Sequence, residues 1–231
     1  MSELTNPDSN NKQSNKRYTW LVAALIAGWF LASLSASALR VFEAGSKTAI
    51  VPPLPLGLAV VVPIAVFLLW LGVSPEFREF ALTRSPRILT FAQSWRIGGF
   101  VFLILAARGI LPTVFAWPAG WGDIAVGATA PLAARYLTDP RRRTGFLAWQ
   151  MIGVFDLVMA VTLGVLSSPT PIGILAHGLS SDAMTVLPMS LIPTFAVPLL
   201  LIFHIICIAQ AVRWPRQQTI GVEQRWRSAV S

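Results

Sequence analysis

Two carboxylates in this chain stand where carboxylates are costly. Asp123 lies inside Trp117-Pro118-Ala119-Gly120-Trp121-Gly122-Asp123-Ile124-Ala125-Val126-Gly127, and Asp156 lies further on in Gly153-Val154-Phe155-Asp156-Leu157. Both interrupt apolar runs, and both follow a Gly-x-x-Asp pattern ending in an aliphatic residue. An acid within a lipid-spanning helix costs roughly 2.5–3.5 kcal/mol on insertion scales, so each implies a partner or a use. The repeated pattern is short and falls on neighbouring segments of opposite direction, so it is thin support for an inverted-repeat transporter.

The expected partner of Asp123 is Arg108. Arg108 falls near the end of one apolar segment and Asp123 about 7 Å into the next, by helical rise. Segments joined by a short turn usually pack together. The pair reads either as a structural salt bridge or as an ion or substrate site near the outer surface. Asp156 falls about 15 Å into its segment, near the bilayer centre, where no basic residue is expected. It reads as a structural carboxyl hydrogen-bonded to another helix, or as the acid of a proton- or cation-coupled transport site. Arg96, beside Trp95, reads as an interface anchor, as does Trp149 beside Gln150.

His204, Cys207 and Gln210 are spaced by three and share one helical face. His204 reads as a packed, hydrogen-bonded histidine or as a proton relay. The other histidine, His177, falls in a loop something like 25 Å away along the axis, too far for a shared bis-histidine haem. No cofactor or metal is expected. There is no Gly-rich phosphate loop, HExxH or GxSxG, which leans the reading away from an enzyme.

The elements that must position these residues are membrane helices. The chain has 231 residues, of which 55% are hydrophobic and 12% charged, with a mean hydropathy of +0.64. Soluble domains carry about 25% charged residues. The single cysteine, Cys207, forms no intrachain disulfide and belongs to no zinc spacing. The net charge of +8 lies between apolar segments, as membrane topology requires, and does not indicate nucleic acid.

The expected fold is all-α: a polytopic bundle of six transmembrane helices over residues 19–212, between a disordered tail at 1–18 and a basic tail at 213–231. The spans fall near 19–39, 54–73, 86–111, 119–136, 145–166 and 186–212. Ser74-Pro75-Glu76, Ser85-Pro86 and Asp139-Pro140 read as helix starts. Pro188, Pro193 and Pro198 break the outer half of the last span. Ala24, Gly28, Ala32 and Ala36 recur every four residues on span 1, a stripe suited to self-association or to another membrane protein. Ser35-Ala36-Ser37 also has the form of a signal cleavage site, but small-residue helical spacing running up to it favours a retained span.

With the amino terminus inside, the inner segments hold Arg17, Arg78, Arg84, Arg87, Arg135, Arg141, Arg142, Arg143 and Arg213, whereas the outer loops hold Arg40 and Lys47. That asymmetry places both termini in the cytoplasm. The segments Trp117 to Gly127 and Leu191-Ile192-Pro193-Thr194-Phe195-Ala196-Val197-Pro198 resemble a group of bacterial integral membrane proteins without an assigned activity. The resemblance covers about spans 3 to 6 and implies a bacterial cytoplasmic membrane. Three functions fit: a small-solute or ion transporter or a subunit of one, a non-catalytic scaffold or assembly partner, and, more distantly, a membrane redox or haem protein.

Overall fold

Helix starts fall where the sequence supplies caps. In the computed structural model, which describes residues 7–43 and 54–214, Ser74 Oγ accepts from the Phe77 N–H at 3.1 Å and opens α3 (Pro75–Leu82). Asp139 Oδ1 accepts from the Arg141 N–H at 2.8 Å and opens the 3₁₀ turn Pro140–Arg142, which leads into α7 (Arg143–Leu166). Each cap satisfies an N–H that the first turn of a helix leaves unpaired.

The described residues are all-helical, with no strand. Helix α1 (Pro7–Ala38) begins within the tail expected to be disordered and carries the first span. Helix α2 (Leu54–Val73) contains Pro63, and α3 folds back beneath it, with Phe77 stacked on Trp70 at 3.8 Å between ring centroids. The third span is built in three pieces: α4 (Pro86–Ala92), a 3₁₀ segment Gln93–Gly99, and α5 (Phe100–Ala107). Helix α6 (Thr113–Tyr136) follows a tight turn and packs against all three. The last span begins as a π-helix, Ile192–Ala196, and continues as α8 (Val197–Arg213). The loop expected around Lys47 and Pro52-Pro53, and the tail beyond Trp214, lie outside the described residues.

Among the described residues, five segments are long and apolar enough to cross a membrane: Arg17–Ala38, Leu54–Val73, Pro86–Ala107, Pro140–Leu166 and Ile192–Arg213. Helix α6, although 24 residues long, is not among them. Its sequence gives many positions to Gly, Pro, Trp and Thr and one to Asp123, which lowers its hydropathy.

Small residues let α6 sit at the centre. Ala116, Ala119, Gly120, Val126, Gly127, Ala130, Ala133 and Ala134 are all buried. A β-carbon on Gly120 would stand 2.7 Å from Leu103 Cδ2, and one on Gly127 would strike the backbone of Arg96 and Ile97. Without a hydrophobic force between helices in lipid, such close backbone approach supplies the packing energy. The pairings run antiparallel. Phe115 meets Phe102 and Gly164, Gly122 meets Asp156, and Thr129 meets Trp149.

The proline-broken start of the last span is used. Pro198 has no N–H to offer the Thr194 carbonyl four residues back. That oxygen instead accepts from Trp29 Nε1 at 3.1 Å and from Ser33 Oγ at 3.5 Å, both on α1. Ser190 Oγ donates to Ser37 Oγ at 2.9 Å. These bonds fix α1 through Trp29, Ser33 and Ser37. The predicted stripe lies elsewhere: Ala24, Gly28 and Ala32 are exposed, and a β-carbon on Gly28 would touch nothing within 4 Å.

Candidate functional site

Arg96 is the buried centre of the molecule. It lies in the 3₁₀ segment with its side chain 1% exposed, and it reaches three helices. Nε donates to Asp123 Oδ1 at 2.7 Å, and Nη2 donates to Asp156 Oδ2. Nη1 donates to the Gly153 carbonyl at 3.2 Å and faces His204 Nε2 at 3.4 Å. One planar guanidinium thus ties α6, α7 and α8 together, a task its rigid fork of donors performs and a lysine's single ammonium does not.

Local sequence explains how it fits. A β-carbon on Gly99 would strike the Asp123 side chain, and one on Gly122 would strike the Asp156 carboxylate. A β-carbon on Gly153 would stand 2.5 Å from His204 Nε2. The two Gly-x-x-Asp patterns therefore converge on one cation from antiparallel helices. In each, the glycine admits a neighbour: Leu103 at Gly120, His204 at Gly153.

A second ring of polar groups orients the first. His204, fully buried, donates from Nδ1 to Gln150 Oε1 at 2.5 Å, which leaves its Nε2 lone pair toward Arg96. Gln150 Nε2 donates to Thr90 Oγ1 at 3.2 Å, and Thr90 Oγ1 lies 3.9 Å from Cys207 Sγ. Gln93 Nε2 donates to the Leu200 carbonyl at 3.0 Å, and Gln210 Nε2 donates to the Arg84 carbonyl at 2.7 Å. His204, Cys207 and Gln210 do share the buried face expected of them. Asp156 Oδ1 is buried and has no hydrogen-bond donor among the described residues.

Three expectations are corrected. Arg108 does not pair with Asp123; it caps the end of α5, is exposed, and the turn at Gly109 carries it away from α6. Arg96 is no interface anchor. And Asp156 does have a cation at its depth, the same Arg96. A signal for this existed. Arg96 is ten residues into the span expected from residue 86 and Asp156 eleven residues into the one expected from residue 145, so both fall roughly 15 Å deep by helical rise. Sequence neighbourhood favoured Arg108 because it ignores how helices rotate about their axes. His177 is exposed in a loop, whereas both ring nitrogens of His204 face protein groups. Among the described residues no cluster of His, Cys, Asp or Glu has the makings of a metal site.

A cavity of about 300 Å³ reaches the cluster. Its walls are apolar side chains of α2, α5, α6 and α7, including Val60, Phe102, Phe115, Leu157 and Val161. Asp123 lies on its wall, and Ser168, Asp182 and Thr185 lie on the part formed by the loop after α7. At the opposite end of the bundle a broader groove of about 500 Å³ runs between α3, α4 and α8, lined by Arg78, Arg84, Arg213 and Gln210. It does not touch the cluster.

The chain belongs to the family described as Domain of unknown function (DUF8737), which matches residues 52–212. All of Arg96, Asp123, Asp156 and His204 lie within that match, and α1 lies outside it. No curated protein and no solved structure matches the chain.

Proposed function

We propose that this chain, within a family whose function is undefined, is a six-span protein of a bacterial cytoplasmic membrane that couples movement of a small solute to a proton or cation. The observation that carries the reading is the Arg96 cluster with a cavity leading to it. One guanidinium balances one carboxylate. The charge of the second, Asp123 or Asp156, is balanced only by a proton or a bound cation, and a group of that kind at mid-bilayer depth is the recurring element of ion-coupled membrane proteins.

Crossing by α6 is supported by its neighbours. From Phe115 to Thr129 it lies alongside α7, roughly 20 Å by helical rise, and Asp123 shares the level of Arg96, Asp156 and His204. Contact with spanning helices at that level and over that length supports α6 as the sixth span. The distribution of arginines supports an orientation with the loop after α7 outside and both termini in the cytoplasm.

The test is proton flux. Full-length protein in liposomes loaded with a pH-sensitive dye should exchange protons when sodium, potassium or a quaternary ammonium ion is added outside. Asp156→Asn and Asp123→Asn should abolish that exchange. Traces identical to those of empty liposomes for every cation would end the reading.

A scaffold role is favoured by one separate observation: the small-residue stripe of α1 faces away from the bundle. In that case Gly28→Leu should break association, read by cross-linking in membranes, while Asp156→Asn leaves it intact.

A further inference from the structure

We infer that the cavity beside Asp123 is a binding site for a monovalent organic cation with an apolar, aromatic-sized body, such as a quaternary ammonium compound. The inference names the solute class of the site described above and rests on that reading of the cluster.

The chemistry of the walls selects the sign of charge. The ionisable side chains on the cavity wall, Asp123 and Asp182, are both acids. Arg96 is withdrawn behind them, 1% exposed, whereas the Asp123 side chain is 16% exposed. Asp123 spends Oδ1 on Arg96, and its Oδ2 has no donor among the described residues. A ligand in the cavity therefore meets carboxylate and not guanidinium. Two acids on the wall of a low-dielectric cleft concentrate cations there.

The same walls select the body of the ligand. Phe102 and Phe115 line the cavity edge to face, with centroids 5.7 Å apart at 68°. Phe115 stands two turns along α6 from Asp123, about 12 Å by helical rise, so the rings would receive the aromatic body of a ligand whose charge lies at the carboxylate. The walls from α2 and α7 are aliphatic, with the hydroxyls of Ser168 and Thr185 confined to the loop part, and a volume of about 300 Å³ lies at the small end of ligand pockets. The aliphatic walls from α2 and α7 offer an inorganic ion no oxygen ligands, whereas a hydrophobic cation sheds its water there at little cost.

The probe is radiolabelled benzyltrimethylammonium, whose charge is fixed at all pH values, measured against the full chain in nanodiscs of zwitterionic lipid. Binding should be saturable. Neopentylbenzene, the neutral carbon isostere, and phenylacetate should not compete. Asp123→Asn should weaken binding on the order of 30-fold. Because that variant also disturbs Arg96, Ala160→Phe serves as an independent arm: Ala160 is on the cavity wall and makes no ion pair, so the variant should block binding while it still elutes as folded protein in size-exclusion chromatography. Lowering the pH should weaken binding, since protons compete for the same carboxylate. Equal competition by neopentylbenzene overturns the inference, as does unchanged affinity in both variants. Saturable, Asp123-dependent binding without any cation-driven proton flux upholds the site and ends the coupled-transport reading. Sodium- or potassium-driven flux with no benzyltrimethylammonium binding does the reverse.

Discussion

The carboxylate of Asp156 fills the space that a side chain on Gly122 would need. Two residues that are far apart in the chain are in contact because α6 and α7 run antiparallel at close range, and that contact holds Asp156 Oδ2 against Arg96. Gly122→Ala should therefore displace the carboxylate. The expected loss is about 1–3 kcal/mol, in the range of overpacked cores, read as a lower unfolding temperature in detergent. Wild-type stability would show that the two helices separate freely.

Removing Arg96 should be worse than removing everything it binds. Arg96→Met leaves two buried acids without a cation, a loss of about 3–5 kcal/mol. The triple variant Arg96→Met, Asp123→Asn, Asp156→Asn should recover most of the folded yield, because no buried charge is left unpaired. Folded yield by size-exclusion chromatography checks both. Arg96→Lys should fall between them, since one ammonium cannot reach α6, α7 and α8 together.

Arg108 provides the contrast. It is exposed at the end of α5, so Arg108→Gln should change stability by no more than about 0.5 kcal/mol. A large loss in that variant would restore the pairing that the sequence alone favours.

Glycines divide by position. Gly153→Ala should push His204 off Arg96 and destabilise by about 1–3 kcal/mol. Gly28→Ala meets open space and should leave thermal stability unchanged or slightly raised, by up to about 1 kcal/mol. Thermal unfolding of both in one detergent decides the comparison.

The bond from Trp29 to the Thr194 carbonyl exists because Pro198 offers no N–H there. Trp29→Phe should cost about 0.6–1.7 kcal/mol, the range of interhelical hydrogen bonds in bilayers. In a Pro198→Ala background, where the restored backbone N–H donates to the same oxygen, the cost should shrink. A double-mutant cycle with no coupling energy would remove this account of how α1 is attached.

Much was legible in the chain itself. Apolar runs and proline starts marked the span at Leu54–Val73 and the start of the one at Pro86, which ends at Ala107 and not at the expected Leu111, because the thickness of a bilayer and the helical rise leave few alternatives. Asp123, Asp156 and His204 were legible as special because ionisable groups are rare in such runs. The face shared by His204, Cys207 and Gln210 followed from helical periodicity alone.

What tertiary structure decided was which of these groups meet. Pairing Asp123 with Arg96 and not Arg108 depends on the 3₁₀ winding of Gln93–Gly99, which turns Arg96 inward, and on Gly99, Gly122 and Gly153 letting three backbones close around it. Rotation about a helix axis is set by side-chain packing between helices, a non-local quantity that hydropathy and spacing do not contain. The cavity beside Asp123 has the same origin: its walls come from α2, α5, α6 and α7 and the loop beyond, and no one of these segments encodes it.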